Sequence, residues 1–216
     1  MPKPRLFSLL AMTLSLPLLL IPAPSLADER PNIDYLEAIV GTYEARETGL
    51  VFEGESIGFE GNVDLGKWRV LRLAGYRNEA DGPAGLKHRS EHYELGLMMD
   101  AQVSAKSSLL FEAGVQHDSV NRGRATQVDG RVDGENSNSL YGAVEYRVLW
   151  GSSVEFGLRG QAQNVLAERR RVMSGQLVFN FTDRFAMALR HEQWQRGEDD
   201  YAVGEDRSQV TIRWKF

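Results

Sequence analysis

Four histidines are the residues of this chain best suited to acid–base chemistry: His88, His92, His117 and His191. His117 is followed by Asp118 and Ser119, and residues 90–92 read Ser-Glu-His. An imidazole, a carboxylate and a hydroxyl are the groups of a general base, its partner and a nucleophile. On a strand, however, adjacent side chains point to opposite faces, so such neighbours do not meet. A catalytic site is therefore the alternative hypothesis here, and a non-catalytic protein is the main one.

Metal and cofactor chemistry has little support in the sequence. The chain contains no cysteine, which excludes disulfides, thiolate nucleophiles and thiolate metal sites. Acidic residues gather in QVDGRVDGEN and RGEDD, but their spacing is not that of an EF-hand calcium loop. We predict no metal site and no cofactor.

The first 27 residues have the organisation of a signal peptide. Two basic residues near the start precede an apolar stretch over residues 6–21, and Ser-Leu-Ala occupies positions 25–27. We expect cleavage after Ala27, which would leave residues 28–34 as a short N-terminal segment. An uncleaved anchor helix is the alternative, and three prolines in and after the apolar stretch argue against it.

The charge of the chain argues against a nucleic-acid partner. The formal net charge is −5 at pH 7. It becomes more negative without the signal peptide, because that segment holds two basic residues and no acidic ones. Nucleic-acid surfaces are basic, so we expect no nucleic acid to bind.

Ten later segments alternate polar and apolar residues, and this period of two predicts strands with one apolar face. Their approximate limits are residues 35–45, 55–66, 68–79, 90–104, 108–119, 138–150, 153–165, 170–181, 184–195 and 206–216. Beyond the signal peptide, no apolar run approaches the roughly 18 to 20 residues of a transmembrane helix. Strands of about 9 to 11 residues can nevertheless cross a membrane in a closed barrel.

The connections between these segments differ in length in a regular way. Those after the second, fourth, sixth and eighth segments are tight, whereas those after the odd-numbered segments tend to be longer and polar. The longest are residues 119–138, 78–90 and 195–206. All short turns would lie at one end of a barrel and all long loops at the other, as in outer-membrane barrels, whose short turns face the periplasm.

Charge assigns the two faces of each strand. In LYGAVEYRV, Leu140, Val144 and Tyr146 lie on one face, and Glu145 and Arg147 on the other. A basic residue facing lipid at the membrane midplane costs roughly 2 to 4 kcal/mol. The charged face must therefore point into the barrel.

The third strand is less regular, because Arg69, Arg72 and Arg77 cannot share one face. Turning Arg72 inward leaves Arg69 and Arg77 outward near the two ends. Long basic side chains at these positions can reach the lipid headgroups.

A soluble barrel with an apolar interior is the rival interpretation of the same alternation. The aromatic residues favour the membrane, because they resemble two interfacial belts. Those at the short-turn end are Trp68, Trp150, Phe181, Phe185, Trp214 and Phe216, and those near the long-loop end are Tyr76 and Trp194.

Four features of the chain are informative together: the opening YLEAIVGTYEA, the ten alternating segments, the mid-strand glycines and the terminal VTIRWKF. In these features the chain resembles the small outer-membrane β-barrel domain proteins of Gram-negative bacteria, of the porin-like and OmpA-like superfamily. The resemblance covers essentially the whole mature chain and predicts the barrel domain at residues 35–216. It implies an all-β fold: a single closed antiparallel transmembrane β-barrel of about ten strands in an up-and-down meander, located in the cell outer membrane.

The resemblance also implies partners. A barrel of this family contacts outer-membrane lipid and lipopolysaccharide, and we expect it to be a monomer. Its last strand, which ends in an aromatic residue, is the recognition signal for the barrel-assembly machinery. Here that signal comprises Val210, Ile212, Trp214 and Phe216. The basic run formed by Glu168, Arg169, Arg170 and Arg171 is a candidate contact for lipopolysaccharide phosphates, with a solvated loop as the alternative.

Charges of both signs are predicted to line the lumen. The predicted network comprises Glu60, Arg72, Glu94, Glu112, Glu145, Arg147, Glu155, Arg159, Arg190, Glu192 and Arg213, and the same parity adds Glu37, Asp64, Asp100 and Lys215. Mixed charges in so narrow a space should pair and fill it. We therefore expect a structural or surface-interaction barrel with a narrow or plugged lumen. The alternatives are an enzyme at the outer rim, acting on lipid A or as a protease, and a narrow channel for small solutes.

Overall fold

The computed structural model describes residues 31, 33–47, 49–66, 69–124, 133–165, 168–196 and 203–216. The ten strands are β1 (Tyr35–Glu47), β2 (Leu50–Asp64), β3 (Arg69–Asp81), β4 (Leu86–Ser104), β5 (Ser107–Arg124), β6 (Asp133–Trp150), β7 (Val154–Val165), β8 (Glu168–Asn180), β9 (Phe185–Arg196) and β10 (Val203–Lys215). A 3₁₀ turn at Pro83–Gly85 precedes β4. In the part of the chain that is described, no helix is long and apolar enough to span a membrane.

The strands form a closed antiparallel barrel in which each strand pairs with the next and β1 pairs with β10. Tyr35 pairs with Lys215 where the barrel closes. Tracing partners from Tyr35 through β2 to β9 arrives instead at Val203, at the other end of β10. The strands are therefore staggered by the whole length of β10, which requires a strong tilt against the barrel axis. The predicted up-and-down barrel is confirmed.

The strands are longer at the long-loop end than the sequence predicted. β3 and β4 pair up to Asp81 and Lys87, so their connection is residues 82–85 rather than 78–90. Residues 48–49 alone connect β1 to β2, and residues 166–167 connect β7 to β8. The prediction of longer connections at these hairpins was wrong. The polar segments that were predicted to be loops continue the strand pairing, which satisfies their backbone hydrogen bonds. Residues 125–132 and 197–202, within the two other long connections, lie outside the described residues.

The outer face carries a band of exposed apolar side chains. Its members include Leu36, Val40, Ile57, Leu73, Leu95, Val115, Val144, Leu158, Leu177, Leu189 and Ile212. Above the band, towards the long-loop end, the outward positions become polar, as at Glu53 and Arg77. A continuous apolar surface of this extent is unusual for a protein in water and matches the lipid-facing band of a membrane barrel.

The structure agrees with the predicted aromatic belt at the short-turn end but not with the one near the long-loop end. Trp150, Phe185, Trp214 and Phe216 are exposed on the outer face at the short-turn end. Tyr76 and Trp194, however, are 3% and 4% exposed and lie inside the barrel. Assigning these two to a second belt was wrong, because Tyr76 has the same inward parity as Arg72, and Trp194 the same as Arg190. Trp68 lies outside the described residues.

The irregular third strand has the predicted faces, with Arg72 buried and Arg69 and Arg77 exposed. The assignment of Asp64 to the lumen was wrong. Asp64 ends β2 as an exposed residue, and its Oδ1 accepts a hydrogen bond from the Gly66 backbone N–H at 2.7 Å. Turn residues with short acidic side chains commonly cap their own backbone in this way.

Two mid-strand glycines provide a matched test of the strand packing. A Cβ at Gly114 would collide with the Leu95 carbonyl oxygen and lie 2.8 Å from the Gly96 Cα, whereas a Cβ at Gly160 meets nothing within 4 Å. Backbone atoms cannot rotate away, so Gly114→Ala should lower the free energy of unfolding by roughly 1 to 3 kcal/mol. Gly160→Ala should change it by less than about 0.5 kcal/mol. Urea unfolding of both variants in detergent micelles measures the difference, and equal values would contradict the strand register.

Candidate functional site

Glu60 on β2 lies at the centre of the charged lumen and connects opposite walls of the barrel. Its carboxylate is 3.0 Å from the Arg72 guanidinium and 2.9 Å from that of Arg190. The Tyr35 hydroxyl donates a further hydrogen bond to it at 2.7 Å. The three donors come from β3, β9 and β1, so one buried carboxylate joins side chains from several strands.

A second group of charges fills the side of the lumen formed by β3, β4, β5 and β7. Arg72 also pairs with Glu94 on β4 and approaches Glu112 on β5 at 3.5 Å. Arg159 on β7 pairs with Glu112 and lies 3.8 Å from Glu94. The Tyr141 hydroxyl donates to Glu112 as well. Two arginines therefore share two carboxylates, and the negative charges are matched locally.

The short-turn end of the lumen is closed around Tyr35, which is fully buried. The Arg213 guanidinium lies 3.8 Å from the centre of the Tyr35 ring, and the Arg147 guanidinium lies 5.4 Å from it. Arg213 donates through Nε to Glu37 at 2.6 Å. Glu155 is 3.8 Å from both arginines. Cation–π contacts and ion pairs thus hold both guanidinium groups at this level.

Towards the long-loop end, His92 is held between two carboxylates. Its Nδ1 lies 2.6 Å from Asp118, which is its cross-strand partner on β5, and its Nε2 lies 2.9 Å from Glu94. The Trp194 ring meets the imidazole edge-on at 4.7 Å. Both ring nitrogens are therefore engaged inside the protein.

Above His92, the buried Arg207 guanidinium lies among aromatic rings. It is 4.5 Å from the centre of the Trp194 ring and 5.0 Å from that of Tyr76. Glu192 and Glu205 lie 3.5 and 3.6 Å from it. The sequence analysis missed this cation, although its parity with Arg213 along β10 was a usable signal.

The structure places the predicted lumen residues inside the barrel. Those that are buried are Glu60, Arg72, Glu94, Glu112, Glu145, Arg147, Glu155, Arg190, Glu192 and Arg213, and Arg159 is largely buried. Glu37 and Lys215 are buried too, whereas Asp100 is only half-buried. Sequence parity identified which residues face inward; it did not identify which of them pair.

An internal space within this network is small. Its lining includes Glu145, Arg159, Ser174 and Gln176, and its volume is about 20 Å³. A cavity of this size has room for about one water molecule. Side chains thus fill nearly all of the cross-section at this level.

The histidines do not form the sequence-adjacent sites that were considered. His117 faces outward and bonds to Asn138 at 2.8 Å, while the following Asp118 points inward to His92. His191 faces outward and bonds to Ser208 at 3.0 Å. Among the described residues, no group of three or more His, Asp or Glu side chains is arranged to hold a metal ion. The acidic segments considered for calcium lie largely outside the described residues.

The terminal strand presents the proposed assembly residues to the outside. Ile212, Trp214 and Phe216 are exposed on the outer face, and Val210 is half-buried with the same parity. The Trp214 ring packs against Phe185 at 5.8 Å between ring centres. Lys215 has the opposite parity, and its Nζ donates to the Asn180 side chain at 3.2 Å.

Comparison with known proteins identifies the fold. No protein-family model and no curated protein sequence matches the chain. Similar solved structures include the outer membrane protease OmpT from Escherichia coli, with a TM-score of 0.51, 10% identity and coverage of 85% of this chain and 97% of that one. The translocator domain of the autotransporter NalP from Neisseria meningitidis has a TM-score of 0.48, 11% identity and coverage of 84% and 88%. Neisserial surface protein A has a TM-score of 0.45, 10% identity and coverage of 84% and 96%.

At these identities the likeness shows the fold alone, which is that of an outer-membrane β-barrel protein. The exposed apolar band supplies the independent physical reason for a membrane location. The protein is therefore an integral barrel of the cell outer membrane.

Removing one arginine from the network should destabilise the barrel strongly. Arg72→Leu leaves Glu60, Glu94 and Glu112 short of a cation, and an uncompensated buried charge costs roughly 3 to 5 kcal/mol. The exposed Arg77, which pairs with Glu79, is the control, and Arg77→Gln should cost less than about 1 kcal/mol.

Urea titrations in thin lipid bilayers measure both effects. The double variant Arg72→Leu with Glu94→Gln should recover part of the loss, because it removes one of the orphaned charges. No recovery would mean that Arg72 acts through packing rather than through charge.

Proposed function

We propose that this protein is an outer-membrane barrel closed to solutes, whose role is structural or lies in interactions at the cell surface. The observation that carries the proposal is the ion-pair network, which crosses the lumen at several heights. Tyr35, Arg147 and Arg213 occupy the periplasmic end, and Glu60 and Arg72 occupy the middle. A solute would have to displace each of these layers.

The energetics of the network support a permanent closure. In the middle of the lumen, each guanidinium has at least one carboxylate within 3.0 Å. Nearly all of these guanidinium and carboxylate groups are buried. Opening a path would separate several of these buried ion pairs, and each separation costs several kcal/mol. A narrow channel for small solutes is therefore less well supported than a closed barrel.

An enzyme at the outer rim is also less well supported. His92 is the inward-facing histidine that lies closest to several carboxylates, yet Asp118 and Glu94 engage its two nitrogens. A general base needs a free lone pair within reach of its substrate. In this arrangement both ring nitrogens of His92 are occupied by carboxylates of the network.

The terminal strand has a second proposed role, as the signal read by the barrel-assembly machinery. Trp214 lies on the outer face of β10, whose backbone pairs with β1 and closes the barrel, and Phe216 follows the strand with the same parity. Closure pairs backbone N–H and C=O groups that would otherwise remain without a hydrogen bond in hydrocarbon, at a cost of several kcal/mol each. An exposed aromatic edge would be available to a partner before this closure.

Electrical recording tests the closed lumen. Purified protein in planar bilayers should produce no large and steady conductance, because the internal cavity holds about one water molecule. Stable conductance steps of porin size, reproduced in separate preparations and absent from protein-free bilayers, would refute the proposal.

Deletion of Phe216 tests the assembly signal. The side chain is exposed in the finished barrel, so its loss should cost at most roughly 1.5 to 3 kcal/mol and only mildly impair refolding into detergent. Assembly in cells should fall strongly, as measured by heat-modifiable protein in outer-membrane fractions. Lys215→Gln, at the adjacent inward position, is the control and should assemble normally. Normal cellular assembly without Phe216 would remove the signal role.

A further inference from the structure

A groove interrupts the apolar band on the outer face of β5 to β9. We call it the outer groove; it is lined by Phe111, Gly142, Val144, Gly160, Ala162 and Met173, with Arg171, Gln193 and Gln195 along its polar side. Its volume is about 730 Å³. This lies in the range of roughly 300 to 1,000 Å³ that is usual for ligand sites.

Small residues on neighbouring strands create the groove. Gly142 pairs with Ala162, and in the next outward row Gly160 lies between Val144 and Met173. A side chain at Gly160 would meet nothing within 4 Å, so the space above it is open. Met173, at 71% exposed, stands beside this floor and forms one wall. The result is a depression with apolar walls inside a surface that faces lipid.

The polar side of the groove carries an arginine in an unusual electrostatic setting. Arg171 is exposed and lies in register between Ala162 and Gln195. Among the residues whose side chains are described, no carboxylate forms an ion pair with it. Four other outward cations near this end have one: Arg46 pairs with Glu44, Arg77 and Arg89 with Glu79, and Lys87 with Asp81.

We propose that the outer groove binds the lipid A part of lipopolysaccharide, with an acyl chain over Gly160 and a lipid A phosphate on Arg171. The groove meets polar residues at the long-loop end of the band, which in outer-membrane barrels faces the outer leaflet. A guanidinium fork matches phosphate oxygens, and the amides of Gln193 and Gln195 can bond to sugar hydroxyls. The proposal requires a membrane location and does not depend on whether the lumen conducts.

Binding to defined lipids tests the site. Native mass spectrometry of the full barrel in detergent can compare phosphorylated lipid A, the same lipid A without phosphates, and phosphatidylglycerol. Wild-type protein should bind phosphorylated lipid A about tenfold more tightly than either other lipid, which is the scale of one charge-assisted contact. Arg171→Gln should abolish the preference for phosphates.

Filling the groove tests the acyl-chain contact separately. Gly160→Leu should weaken the binding of both forms of lipid A about tenfold, and Ala162→Leu fills the same floor if the first variant does not fold. Ala38→Leu adds the same side chain to the outer face on β1, and Arg77→Gln removes a cation that is already paired. Both controls should bind lipid A as the wild type does.

Three results would overturn the proposal. The first is unchanged lipid A binding in Arg171→Gln and in the folded groove-filling variant. The second is equal binding of phosphatidylglycerol and lipid A by the wild type, which would indicate a general contact with anionic lipid. The third is equal weakening in the Ala38→Leu and Arg77→Gln controls.

Discussion

Hydrocarbon offers no hydrogen bonds, and the rest of this structure depends on that constraint. Every backbone N–H and C=O group within the membrane must find a partner in the chain itself, so the sheet has to close. The pairing of β1 with β10 provides the closure. Because one side of each strand then faces lipid, charged residues in the middle of the spanning segments must share the enclosed side, where only other side chains can neutralise them.

The same constraint explains which features could be predicted from the sequence. Alternation identified ten strands and separated the lipid face from the lumen. A charged side chain such as Arg72 or Glu145 is tolerated at membrane depth only when it points into the lumen. It failed where both directions are tolerated. Tyr76 and Trp194 suit either an interface or a packed interior, and Asp64 at a turn is solvated in any case.

The pairing of the lumen charges could not be predicted, since parity says only that a residue faces inward. Whether Glu60 meets Arg190, 130 positions away, depends on the stagger accumulated around the whole barrel. His92 and Asp118 were each considered as parts of separate sites, yet the register of β4 with β5 makes them direct partners. The outer groove was hidden for a related reason, because its floor is made of glycine and alanine from different strands.

The central claim, a barrel filled by its own charged side chains, can be tested most directly by chemical access to its middle. The chain has no cysteine, so a single Ser174→Cys substitution places one thiol beside the internal cavity. Ser152→Cys in the exposed turn after β6 is the reference. With a water-soluble maleimide and folded protein in bilayers open to reagent on both sides, the account predicts rapid labelling at position 152 and labelling at position 174 only after denaturation. Equal labelling rates at the two positions in the folded barrel would contradict it.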